Sequence, residues 1–146
     1  MKTLGRPPVE VRVRVDGRPV PKGRPRTGRG GRVYTPRATR DYEQLVAAEW
    51  QAAGARRLPD GPFALYAEFV YARPGSHYRI KARVLRDGTP PCPREDTDNA
   101  VKAVLDALQG LAFADDRLCV EIHATKRWAA DGEGPHATLV LRATAP

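Results

Sequence analysis

The stretch from Arg94 to Asp116 constrains this 146-residue chain more than any other. Within it Ala100, Val101, Val104, Leu105 and Leu108 recur at helical spacing, and Gly110 ends the run. The helix is predicted to begin near Asp98, with Thr97 or Asp96 as its cap. So short an amphipathic helix is stable only when its apolar stripe lies on another element. Period-two segments supply that element. Val9, Val11, Val13 and Val15 alternate with charged residues. Phe63, Leu65, Ala67, Phe69 and Tyr71 share one face of a second strand. Leu118, Val120, Ile122 and Ala124 share one face of a third, and Ala137, Leu139, Leu141 and Ala143 form a fourth. Thr35-Pro36 opens an earlier helix, with Thr35 as the candidate cap, and Tyr42, Leu45, Val46, Trp50 and Ala53 face its core side up to Gly54.

The resulting order, β-α-β-α-β-β, predicts one α+β domain over residues 1–146: a small mixed sheet with two helices packed on it. The polar turn at Asp131-Gly132 predicts a hairpin between the last two strands. Ala64, Tyr66, Glu68 and Val70, on the second face of the 63–71 strand, are too apolar for full exposure and point to packing on both sides or to a partner subunit. Lys126 continues the apolar parity of the third strand. Either the strand has ended there, or that lysine is aimed at something specific.

Charge separates along the chain. The formal net charge is +8. Residues 1–40 hold 12 Lys and Arg against Glu10 and Asp16, whereas residues 95–121 hold seven acids against Lys102 and Arg117. A basic surface around a local acidic cluster suits a protein that grips a polyanion and recruits a cation. The Gly- and Pro-rich loop at 18–33 carries Lys22, Arg24, Arg26, Arg29 and Arg32 with no expectation of a regular element. The loop at 73–94 adds Arg79 and Lys81 among six basic residues and is predicted to be a flexible flap over DNA. Cys92 and Cys119 have no metal-type spacing and read as free thiols of a cytoplasmic protein. No apolar run has the length of a membrane span or a secretion signal.

Two acids one residue apart, Asp96 and Asp98, stand at the helix start. Asp115 and Asp116 follow the glycine stop. At 100° per residue Asp98, Lys102 and Asp106 fall roughly 40° apart along one flank, away from the apolar stripe. Phosphodiester hydrolysis needs an activated water and relief of transition-state charge. A hard cation on a few carboxylates provides both, and a lysine one turn away can hold the phosphate. The same residues also have a purely structural reading: a helix cap, an i,i+4 ion pair and a turn. His77, His123 and His136 are scattered, and no Cys/His set for zinc is present.

Asp96-Thr97-Asp98-Asn99, Lys102, Asp106-Ala107-Leu108 and Asp115-Asp116 together resemble the RusA family of Holliday-junction resolvases. Pro21-Lys22-Gly23-Arg24-Pro25-Arg26, Tyr34-Thr35-Pro36 and the Val120–Lys126 stretch extend the resemblance over roughly residues 11–128. Glu95 stands where the family often has proline, and Thr97 where it usually has an apolar residue. The resemblance implies a homodimeric, Mg²⁺-dependent endonuclease, with Mn²⁺ as a substitute, that nicks four-way junction DNA in recombination and repair. It implies Asp96, Asp98 and Asp116 as metal ligands, Asp115 in support and Lys102 as catalytic. Lys22, Arg24, Arg26, Arg29, Arg32, Arg79, Lys81 and Lys126 are the expected DNA contacts. A non-catalytic branched-DNA-binding protein of the same fold and a flap or fork nuclease are the alternatives.

Overall fold

A computed structural model describes residues 9–79 and 84–144. The main sheet has four strands: β1 (Glu10–Asp16), β4 (Phe63–Tyr71), β5 (Cys119–Trp128) and β6 (His136–Ala143). Their order across the sheet is β1-β6-β4-β5. β6 runs antiparallel to both its neighbours, and β5 runs parallel to β4. Two helices, α1 (Arg37–Ala52) and α2 (Thr97–Leu108), cover one face. α1 lies against β1 and α2, and α2 lies against β4 and β5.

Alternation sets which face is covered. Val13 and Val15 of β1, Leu65, Ala67 and Phe69 of β4, and Ala137, Leu139 and Leu141 of β6 all turn toward the helices and are buried. The register places Val13 opposite Leu139 and Leu65 opposite Leu141. Tyr42, Val46 and Trp50 of α1 and Ala100, Val101, Ala103, Val104 and Leu108 of α2 close the core from above. Phe113, in the turn after α2, stacks on Phe63 with ring centroids 4.5 Å apart. Among the described residues, no helix is long and apolar enough to cross a membrane.

The sheet differs from expectation in one connection. β5 and β6 are consecutive in the chain yet do not pair. β6 passes β4 and inserts between β4 and β1. The reason lies in the side chains. β6 has His136, Ala137, Leu139 and Leu141 buried, which an interior position satisfies. β5 carries Glu121, His123, Thr125, Lys126 and Arg127, which an edge tolerates. A parallel β4–β5 pair needs a crossover of a dozen residues or more, and α2 with its flanking loops provides it. Val120 and Ile122 are left 63% and 49% exposed at this edge.

The helix-free face is closed by long side chains. Ala64 and Val70 are buried on it, as the apolar character of that face required. Arg127 bonds both Glu68 and Glu133, and Tyr66 stacks on His123 with centroids 4.9 Å apart.

The expected loop at 18–33 is also more ordered than its composition implied. β2 (Arg26–Thr27) and β3 (Val33–Tyr34) form a two-stranded antiparallel ribbon. Gly30 and Gly31 turn its tip with φ of 73° and 77°, a conformation few other residues adopt. The N-cap of α1 is Pro36 rather than Thr35, and it makes no side-chain cap bond. Ala53 is exposed just past the helix end rather than facing the core.

Candidate active site

The first turn of α2 carries the acids. Asp96 is the N-cap, and its side chain makes no capping bond to the helix. Instead Asp96 Oδ2 accepts a hydrogen bond from Asn99 Nδ2 at 3.3 Å, and Asp98 Oδ1 accepts one from the Asn99 backbone N–H at 2.9 Å. Asn99 therefore holds both carboxylates from one position. Asp96 Oδ1 and Asp98 Oδ2 have no protein partner among the described residues. Lys102 is exposed one turn on and forms no ion pair with Asp98, so the i,i+4 reading does not hold. Asp106, the third residue on this flank, pairs with Lys22 at 3.0 Å.

Lys126 answers the question its parity raised. β5 runs on through it to Trp128, and its ammonium donates to the Glu95 carbonyl at 3.0 Å. That bond ties the end of β5 to the residue before Asp96. Arg18 Nη2 in turn meets Glu95 Oε1 at 2.9 Å. Burial pushes the Glu95 carboxyl up, but the Arg18 hydrogen bond and nearby positive charge outweigh it and hold the group below its ordinary value. Glu95 is thus an anion, with its charge answered by Arg18 (a residue the sequence did not single out for this role).

Asp115 and Asp116 lie elsewhere, in the turn entering β5. Asp115 Oδ1 accepts from the Arg117 backbone N–H at 2.9 Å and Oδ2 meets its guanidinium at 3.1 Å. The Arg117 backbone bond, followed by its charge, holds the Asp115 carboxyl below the usual range. Among the described residues, no three His, Cys, Asp or Glu side chains converge closely enough to hold a metal ion. The donors at Asp96 and Asp98 are all oxygen and partly unspent, which suits a hard cation that keeps most of its waters. Asp116 does not complete a three-carboxylate cage with them.

The basic residues divide. Arg24, Arg26, Arg29 and Arg32 are exposed along the β2–β3 ribbon, as a phosphate-gripping arm requires. Lys22 is not part of that surface. Its side chain is 18% exposed and its ammonium meets Glu43 at 2.7 Å as well as Asp106. Burial pulls the lysine down, but these two partners outweigh it and hold it above its ordinary value. Its backbone N–H donates to Asn99 O at 2.8 Å. Lys22 therefore anchors the arm beside the acids. Arg79 is exposed and pairs through its backbone with Val84; Lys81 lies outside the described residues.

Beside the acids opens a cavity of about 430 Å³. Tyr71, His77 and Trp128 form its aromatic walls, and Arg18, Arg94 and Glu95 its polar side. Trp128 is fixed from three directions. Arg73 lies 5.1 Å from its ring centroid, His77 meets it edge-on at 5.4 Å, and its indole N–H donates to Pro90 O. These residues come from four separate segments, so no spacing in the sequence announces them. His123 and His136 are engaged with Glu121 and Gly134. Both cysteines are free thiols, Cys92 exposed and Cys119 half-buried.

Comparison with known proteins agrees with this arrangement. The family model for endodeoxyribonuclease RusA matches residues 16–137, a span that takes in the arm, both helices, both acid pairs and Lys126. The uncharacterized protein YqaN of Bacillus subtilis (strain 168) is 28% identical over 138 residues, covering 90% of this chain and 95% of that protein. The chain belongs to the RusA family of endodeoxyribonucleases.

Proposed function

We propose that this protein is a Mg²⁺-dependent endonuclease that resolves four-way DNA junctions by paired nicks, acting as a homodimer. The observation that carries this reading is the unspent charge at the start of α2. The Asp96 carboxylate makes no capping bond to its helix, and Lys102 does not pair with Asp98. A purely structural site would have used those groups.

In this reading Asp96 and Asp98 would hold the cation, whereas Asp116, the further ligand that the family resemblance implies, does not join them within one copy of the chain. A cation held there would supply an activated water and offset charge on the phosphate. Asn99 keeps the two carboxylates oriented. Lys102 meets the scissile phosphate or its leaving oxygen, where a fixed positive charge stabilises the transition state. Lys126 fixes the Glu95 backbone, and with it the direction from which Asp96 enters the site. The exposed arginines of the ribbon, with Arg79, grip the phosphate backbone without reading sequence. Two copies related by a two-fold axis match the near symmetry of a four-way junction, one acidic site to each of two opposed strands.

A second reading, a branched-DNA-binding protein without cleavage, draws on Glu95 beside Asp96 and on the separation of Asp116 from the other two acids. Incubation with a four-way junction and a matched linear duplex, in Mg²⁺ or EDTA, separates the two. We expect symmetric, Mg²⁺-dependent nicks in the junction alone. Asp96→Asn and Asp98→Asn should each slow cutting by roughly 10²–10³-fold, the scale of losing one group that acts on the transition state, with junction binding retained. Tight binding without cutting in Mg²⁺ or Mn²⁺ would establish the second reading.

A further inference from the structure

The cavity beside the acids has no role in the cutting scheme above. Its walls are nonetheless those of a site for a flat, partly polar ring. Tyr71, His77 and Trp128 present aromatic surface, and Arg18 and Arg94 place two cations at its polar side. Trp128 is held by Arg73, His77 and the Pro90 carbonyl, so its orientation is set before anything binds.

Position decides the ligand. Glu95 lines the cavity and is followed directly by Asp96, the N-cap of α2. A nucleic acid strand with a phosphate at Asp96 and Asp98 brings its neighbouring nucleotides to this opening. Bases stack on aromatic side chains whatever their identity, and arginines beside the pocket suit the flanking phosphates. A base at a branch point is already poorly stacked, so drawing it out of the helix costs less than in a regular duplex. A cavity of about 430 Å³ is within the usual range for small-molecule-sized ligands.

We propose that this cavity receives one unstacked nucleobase of the bound DNA, next to the phosphate held at Asp96 and Asp98. The proposal rests on the nuclease reading for the presence of branched DNA at the site, and its test is a binding measurement that is independent of cutting. Dissociation constants are measured in EDTA for a four-way junction and for a series in which a single abasic site walks across the branch point. For the unaltered protein, one abasic position should weaken binding by about tenfold, the scale of one base–aromatic stack. Ala72→Trp fills the cavity from its exposed rim, and with it the abasic penalty should vanish. Trp128→Leu should also lose the penalty, and its thermal unfolding shows whether the fold is kept. A flat abasic walk in the unaltered protein overturns the proposal, as does a penalty that survives in the filled variant. If the flat walk comes with normal Mg²⁺-dependent cutting, the pocket alone has failed. Absence of binding to any branched DNA overturns the pocket and the nuclease reading together.

Discussion

Glu133 shows how much of this molecule's charge is committed to structure. Arg127 holds it by two hydrogen bonds, at 2.6 and 2.8 Å, and the Ala130 backbone N–H adds a third, so its carboxyl falls from an ordinary 4.5 to about 2. A group whose folded value is depressed stabilises the fold above its ordinary value and ceases to do so as pH falls through the folded one. The contribution of Glu133 is therefore full above about 4.5 and lost on the way down to about 2. Urea titrations at about pH 5 and about pH 3 should show a larger drop in stability for the unaltered protein than for Glu133→Gln. Equal drops would mean that solvent already screens the pair. Asp96 and Asp98, at the start of α2, stand in contrast, because among the described residues only Asn99 bonds their carboxylates. That contrast, between carboxylates consumed by partners and carboxylates left open, is what separates site from scaffold here. It was not legible in the sequence, where Asp98 and Lys102 had the spacing of an ordinary ion pair.

At the scale of elements, the β2–β3 ribbon depends on one glycine. Gly23 donates its N–H to Thr39 Oγ1 at 3.0 Å, and the neighbouring Lys22 bonds Asn99 O. A Cβ on Gly23 would lie 3.0 Å from Pro36 Cγ and 3.1 Å from Thr39 Oγ1. Gly23→Ala should push the ribbon away from α1 and from the first turn of α2. We expect junction affinity to fall by roughly tenfold, about 1.4 kcal/mol, with a smaller loss of stability. A variant that binds normally would show that the ribbon tolerates the shift.

The elements themselves were largely readable. Period-two valines located β1, and an apolar helical stripe located α2 with its acids at the start. Pairing was harder to read. A short turn at Asp131-Gly132 argued for a β5–β6 hairpin, but the demand of Leu139 and Leu141 for burial on a central strand outweighed chain proximity. The ribbon was missed because Gly and Pro dominate its composition, and two-residue strands leave no period to detect. The cavity was missed because its walls meet only in three dimensions. Arg18 and Glu95, or Tyr71 and Trp128, carry no mutual signal in a single sequence.

At the scale of the whole molecule, the basic ribbon and the acidic start of α2 sit side by side through Lys22 and Asn99. The formal charge of +8 makes binding to any nucleic acid salt-dependent. Each phosphate neutralised by an arginine steepens the dependence of log K on log salt by about 0.9 for duplex DNA. Arg29→Ala with Arg32→Ala should therefore make the slope shallower by roughly 1.8, with no change in which DNA structure is preferred. An unchanged slope would show that the tip of the ribbon does not touch phosphate.

The central position of β6 bears on how the protein can be made. β6 is the last of the four main strands to leave the ribosome, yet it alone joins β1 to β4. Until it arrives, β1 has no partner in the sheet and both edges of the future gap stay open. Such edges pair readily with other chains. A product cut short before His136 should therefore aggregate or be degraded rather than persist as a DNA-gripping fragment. Assembly of the fold is in this way its own check that translation has run past the last strand.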